Sequence, residues 1–221
     1  MESNKQQMKP LHRTWLYTFI VWGLYFIVSK VLFFVKIEGR ENIPKDRNCV
    51  LMGNHQCILD PLMLELCVPD REIHFMGKKE LWNNKLLGWA FTKVHGFPVD
   101  RGNMDMGAIR TAMNVLKEGD TLGIFPEGTR SRTGHMLPLL GGASMLALRS
   151  RCDVIPVYID GNYRPFRRMT VRVGKPVEMD DLLALRVTKE SCDTLTGRIE
   201  AEFAQLSHGK SLPAPAEQTQ T

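Results

Sequence analysis

The sequence predicts an α/β fold: a mixed, largely parallel sheet flanked by helices, behind an N-terminal hydrophobic segment. Three observations carry that expectation. Short apolar runs alternate with helical stretches along the chain, as in repeated β–α units. The two densest clusters of unusual residues, 54–60 and 126–131, each follow directly on such a run. That is where an open α/β sheet places its working loops. Finally, 43% of the 221 residues are hydrophobic and 24% charged, an ordinary globular balance. A chain of this length buries roughly 70% of its unfolded surface and folds without disulfides.

The first element is the apolar stretch 15–35, WLYTFIVWGLYFIVSKVLFFV, broken by Ser29 and Lys30. As a helix it would cover about 30 Å, the thickness of a hydrocarbon core. It is too long for a signal peptide, and no small-residue cleavage site follows. Trp15, Tyr17, Trp22 and Tyr25 suit a membrane interface. Lys5, Lys9 and Arg13 precede the run, and Lys30, Lys36 and Arg40 lie within or after it. Positive charge on both flanks gives no preference for crossing. A helix or hairpin in one leaflet accounts for both flanks and for Lys30, with a single span or a buried soluble helix as the alternatives. The expected organisation is a membrane-association segment (1–35), a catalytic domain (36–207) on the cytoplasmic side of the cell membrane, and a disordered polar tail (208–221).

Within the domain, residues 49–53 read as a buried strand, and Asp60-Pro61 opens a helix that ends near Pro69. Residues 73–76 are a second strand, 79–91 a helix and 94–99 a third strand. Ile109, Ala112, Met113 and Leu116 recur at helical spacing, and Gly119 closes that helix. Residues 121–125 form a strand, 142–149 a helix and 154–159 a strand interrupted by proline. A short strand at 171–173 and a closing helix at 195–206 complete the pattern.

Charge and cysteines narrow the function classes. Lys and Arg outnumber Asp and Glu by 29 to 24. Arg130, Arg132, Arg149 and Arg151 share one acid-free stretch, and Arg164, Arg167, Arg168, Arg172 and Lys175 another. Such stretches suit an anionic partner (a phosphate-bearing ligand, an anionic lipid surface or a nucleic acid), with a merely solvated basic face as the equal alternative from charge alone. Nucleic acid is set aside because no aromatic interleaving or recognition motif accompanies the charge. Five cysteines without C-x-x-C spacing exclude a zinc ribbon and a secreted disulfide framework, and point to a reducing compartment.

Two clusters carry chemistry. In Asn54-His55-Gln56-Cys57-Ile58-Leu59-Asp60, an imidazole and a carboxylate lie five positions apart on a loop entering a helix. Folded back, the carboxylate takes the proton of one ring nitrogen and leaves the other to accept a proton from a hydroxyl. That is the base and orienter of a triad, without a protein nucleophile. The plain alternative is a helix cap at Asp60 and an ordinary loop histidine. In Phe125-Pro126-Glu127-Gly128-Thr129-Arg130-Ser131, the backbone amides of a glycine turn, with Thr129, Ser131 and Arg130, could surround an anion, or Arg130 could simply pair with Glu127.

With Gly96-Phe97-Pro98-Val99-Asp100-Arg101-Gly102 between them and Val154-Ile155-Pro156-Val157 after, these clusters resemble the four sequence blocks of the glycerophospholipid acyltransferases. The bacterial 1-acyl-sn-glycerol-3-phosphate acyltransferases are the most similar group. The resemblance implies His55 as general base, Asp60 as its orienter, and Lys78, in Gly77-Lys78-Lys79-Glu80-Leu81, near the reacting carbonyl. It implies an acceptor site shaped by Asn54, Glu127, Gly128 and Thr129, with phosphate contacts from Arg101 and Arg130. Where many members have Pro-Phe-Lys-x-Gly, this chain has Pro138-Leu139-Leu140-Gly141-Gly142, without the lysine. The implied reaction moves a fatty acyl group from acyl-CoA or acyl carrier protein to the sn-2 hydroxyl of 1-acyl-sn-glycerol 3-phosphate, giving phosphatidic acid, a step of phospholipid biosynthesis. No metal or redox cofactor is expected, because a thioester is already activated. The rivals are another lysophospholipid headgroup, a transacylation, and a non-catalytic lipid-binding protein at the membrane.

Overall fold

The structure, a computed structural model, describes residues 26–209 apart from 94, 101–104 and 162, together with Phe19 and Gly23. Arg101, residues 15–18, 20–22, 24 and 25 of the apolar stretch, and residues 210–221 lie outside the described residues. Among the described residues no helix is long and apolar enough to cross a membrane.

Seven strands form one sheet: β1 (Phe33–Glu38), β2 (Cys49–Gly53), β3 (Ile73–Lys78), β4 (Gly96–Val99), β5 (Thr121–Ile124), β6 (Asp153–Asp160) and β7 (Arg167–Val173). Their order across the sheet is β1-β7-β6-β2-β5-β3-β4. Every neighbouring pair is parallel except β6 and β7. The helices are α1 (Asp60–Cys67), α2 (Lys85–Lys93), α3 (Met106–Lys117), α4 (Gly141–Ser150), α5 (Asp180–Leu183) and α6 (Lys189–Leu206).

Strands β2 and β6 sit mid-sheet and are apolar on both faces, as parallel strands covered by helices must be. Val50, Met52, Val154 and Tyr158 meet α3, α4 and α6 on one side. Cys49, Leu51, Ile155, Val157 and Ile159 meet α1 on the other. Burial also silences two thiols: the Cys49 and Cys67 thiols are pushed up to about 12 by desolvation. All five cysteines are free.

The largest correction concerns the end of the apolar stretch. Residues 33–35 are not helical; they begin β1, so a domain boundary after Val35 would cut a strand. The sequence FFVKIE alternates, with Phe33 buried and Phe34 exposed, and β1 pairs in parallel with β7 from Phe33↔Arg167 to Glu38↔Arg172. Period-two alternation and a waiting partner outweigh the helical reading of a continuous apolar run. Ahead of β1, residues Ile27–Leu32 form a π-helical turn.

Two helices also differ from the pattern-based bounds. The stretch 79–91 divides into a 3-10 turn, Lys79–Asn83, and α2, because Asn84 is extended and its Oδ1 accepts the Leu86 amide at 3.0 Å. Helix α6 starts at Lys189 rather than 195 because Thr188 caps it: Thr188 Oγ1 accepts from Ser191 N, and Ser191 Oγ accepts from Thr188 N.

Candidate active site

Strands β2 and β5 are hydrogen-bonded neighbours running the same way. Their carboxyl ends therefore deliver residues 54–60 and 125–131 to one place. The two loops are joined directly, since Ser131 N donates to His55 O at 2.8 Å.

At the centre, His55 Nδ1 lies 2.7 Å from Asp60 Oδ2. Asp60 is wholly buried, and its carboxylate also accepts from Gln56 N (2.5 Å) and Cys57 N (2.7 Å). The Tyr163 hydroxyl donates to its other oxygen, Oδ1. The capping alternative is thereby excluded: the N-cap of α1 is Leu59, and Asp60 turns back onto its own loop. With Nδ1 held by Asp60, Nε2 is the nitrogen that remains to take a proton.

Aromatic packing sets the imidazole plane. The His55 ring stacks on Phe125 at 4.2 Å and 20°, and Phe75 lies parallel to Phe125 at 6.5 Å. Phe75 can lie across β5 because its neighbour there is Gly123; a Cβ at that position would stand 2.3 Å from Phe75 Cε1.

Glu127 and Asn54 act from behind the loop. Glu127 is buried; Oε1 accepts from His55 N at 2.6 Å and Oε2 from Leu137 N at 2.7 Å. Burial pushes its carboxyl up to about 7, against the pull of those two amides. Asn54 has no exposure at all, and its amide is spent on β6: Ile159 N donates to Oδ1 at 2.6 Å and Nδ2 donates to Ile159 O at 3.2 Å. Both residues were expected to shape the acceptor site. The structure places them as struts that hold the His55 backbone between two strands. Gly128 adopts φ 69, and a Cβ there would meet Leu140 Cδ1 at 2.5 Å, so glycine is required in this turn.

Next to the dyad's own loop lies a cavity of about 620 Å³, whose wall includes Gln56, Cys57, Thr129, Arg130, Arg132 and Tyr163. Thr129 and Arg130 are exposed to it, as the anion-cradle reading requires. Lys78 is not brought to the dyad. It ends β3, two places from β2 in the sheet, and its ammonium pairs with Glu80 at 3.1 Å. Tyr163 was missed by sequence reasoning. A lone tyrosine in a glycine- and proline-containing loop carries no signal until the fold sets it on Asp60.

Comparison with known proteins places the chain among acyltransferases. The Acyltransferase family model matches residues 34–160. The 1-acyl-sn-glycerol-3-phosphate acyltransferase of Bacillus subtilis (strain 168) is 33% identical over 179 residues, covering 79% of this chain and 88% of that protein. The Streptococcus pneumoniae enzyme of the same name is 31% identical over 191 residues, covering 80% of this chain and 70% of its own. The crystal structure of PlsC, the 1-acyl-sn-glycerophosphate acyltransferase of Thermotoga maritima, superposes with a TM-score of 0.65 at 24% identity, over 90% of this chain and 80% of that one. A shared sheet, a histidine–carboxylate pair at the joined strand ends and a family match over most of the domain lead to one assignment: the chain belongs to the glycerophospholipid acyltransferase family.

Proposed function

We propose that this acyltransferase moves a fatty acyl group from a thioester, acyl-CoA or acyl carrier protein, to the sn-2 hydroxyl of 1-acyl-sn-glycerol 3-phosphate, giving phosphatidic acid. The observation that carries the reading is the His55–Asp60 pair, 2.7 Å apart, on a loop whose Gln56 and Cys57 wall a cavity together with Arg130 and Arg132. His55 Nε2 takes the proton of the acceptor hydroxyl as that oxygen attacks the thioester carbonyl. The tetrahedral adduct collapses with loss of the C–S bond, and the leaving thiolate takes up the proton. Asp60 holds the imidazole tautomer and balances the imidazolium charge. The acceptor phosphate meets Arg130, with Arg101 as its partner by family resemblance. The assignment of Lys78 to the reacting carbonyl rests on that resemblance alone. The chemistry calls for no metal or redox cofactor.

Membrane association belongs to the same proposal, because the acceptor resides in a bilayer. Phe26, Ile27, Val31 and Phe34 are exposed around the start of β1, and Phe166 is 70% exposed beside them, its amide bonded to Leu32 O at 2.6 Å. Arg164, Arg167 and Arg168 are exposed in the same segment. Apolar side chains ringed by arginines suit an anionic lipid surface.

The test is a panel of lysophospholipid acceptors against both donor types, with products identified by mass spectrometry. Phosphatidic acid from lysophosphatidic acid is expected, and His55→Gln should lower turnover at least 10²-fold. Preferential acylation of another headgroup would replace the acceptor. Undiminished turnover by the His55 variant would remove the mechanism.

A further inference from the structure

The carboxyl end of the sheet carries the dyad; a second cluster of titratable groups gathers at the amino end, where the acyl transfer has no use for it. Glu72 precedes β3, His74 is its second residue, and His95 precedes β4. One potential ligand atom from each of Glu72, His74 and His95 lies within 4.8 Å of the other two. The His95 Nε2 to Glu72 Oε2 distance is 3.3 Å, and the two imidazole rings stand 5.0 Å apart at 58°. A third carboxylate, that of Asp120 at the start of β5, reaches His74 Nε2 at 3.5 Å. Beside them is a cavity of about 310 Å³, walled on one side by Thr111 and Asn114 of α3 and by Glu118 just after it.

We propose that Glu72, His74 and His95 form a binding site for a divalent transition metal of the zinc type, with Asp120 orienting the His74 ring. Two imidazoles and one carboxylate are a ligand set that zinc and its neighbours accept, leaving one position for water. Zinc–ligand bonds of about 2.0–2.1 Å in a tetrahedron set neighbouring donor atoms roughly 3.3 Å apart. The Glu72–His95 pair already has that spacing, so only the His74 side must close.

The backbone holds the ligands ready. Phe75 N donates to His95 O at 3.3 Å, which fixes the His95 residue against β3 beside His74. His95 itself sits at φ 58, in the left-handed region, where it interrupts the chain between α2 and β4. A metal there clips the starts of β3 and β4 together at the sheet edge. Its role is to hold that edge, apart from the reacting groups.

The experiment uses tag-free, full-length protein stripped with EDTA and dialysed, then titrated with zinc chloride by calorimetry, with metal content counted by mass spectrometry. One equivalent should bind saturably, and a hundredfold excess over Kd should raise Tm by about 5–10 °C. Cobalt(II) should give visible d–d absorption, and magnesium should not compete. His95→Gln and Glu72→Gln should each lose the equivalent and the Tm rise, while His135→Gln, on an exposed loop, keeps both. Should either site variant fold poorly, the cobalt spectrum of the unaltered protein decides alone. Absence of saturable zinc binding, absence of the cobalt absorption, or an equivalent that persists in folded His95 and Glu72 variants overturns the proposal.

Discussion

The Tyr163 hydroxyl donates to Oδ1 of Asp60 across 103 residues of sequence, on the oxygen opposite the one that holds His55. Burial, followed by the charge of Asp60, raises the Tyr163 phenol above its ordinary value, so it stays protonated and remains a donor at any working pH. Hydrogen bonds to charged groups contribute about 1.5–3 kcal/mol. Tyr163→Phe should therefore lower kcat by about tenfold or more, while its phenyl ring keeps the edge contact with Phe33. Steady-state kinetics checks this, and an unchanged kcat would mean the bond only tethers the loop.

Glu127 gives stability a pH dependence of definite sign. Its carboxyl titrates at about 7 in the folded protein and at 4.5 ordinarily, so the folded state binds the proton more tightly. The contribution is present in full below 4.5 and is lost as pH rises through about 7. Urea midpoints measured from pH 4.5 to 8 should fall more steeply for the natural protein than for Glu127→Gln. Parallel curves would show that the carboxyl does not titrate in this range.

Arg130 faces the cavity and makes no ion pair to Glu127, whose oxygens are taken by amides. Arg130→Ala should raise the acceptor KM about tenfold or more through loss of a charge-assisted contact to phosphate, with the donor KM nearly unchanged. Equal effects on both substrates would move Arg130 away from the acceptor.

Phe166 and its neighbours should report on the lipid surface. Phe166→Glu puts a charge among exposed apolar residues at little cost to the fold, since the side chain is 70% exposed. Flotation with vesicles containing anionic phospholipid should show weaker association than the natural protein, and neutral vesicles should bind both poorly. Identical flotation would place the contact elsewhere.

The sequence announced the middle of this protein better than its edges. Strand β2 is apolar at every position and matches its expected bounds, because a strand buried on both faces carries its own signature. Strand β1 was hidden inside a longer apolar run, since a segment's neighbours in the sheet are not written in its local pattern. The His55–Asp60 pair was legible because both partners sit in one loop, five residues apart. Asp60 was readable as a helix cap for the same reason, and only the amides of Gln56 and Cys57 turning onto it decide against that. The struts Asn54 and Glu127 carry residue types that also suit substrate contact, and burial, which no motif records, assigns them otherwise.

The pairing of β1 with β7 has a consequence for synthesis. Phe33 must wait for Arg167, its partner in register, to leave the ribosome. At about 5–20 residues per second that delay is roughly seven to thirty seconds. Throughout it, Phe33, Val35 and Ile37 have no sheet to cover them, directly after the most apolar stretch of the chain. A bilayer or a chaperone that engages the stretch during translation would shield the nascent strand from aggregation until the last strand of the sheet arrives to close the first.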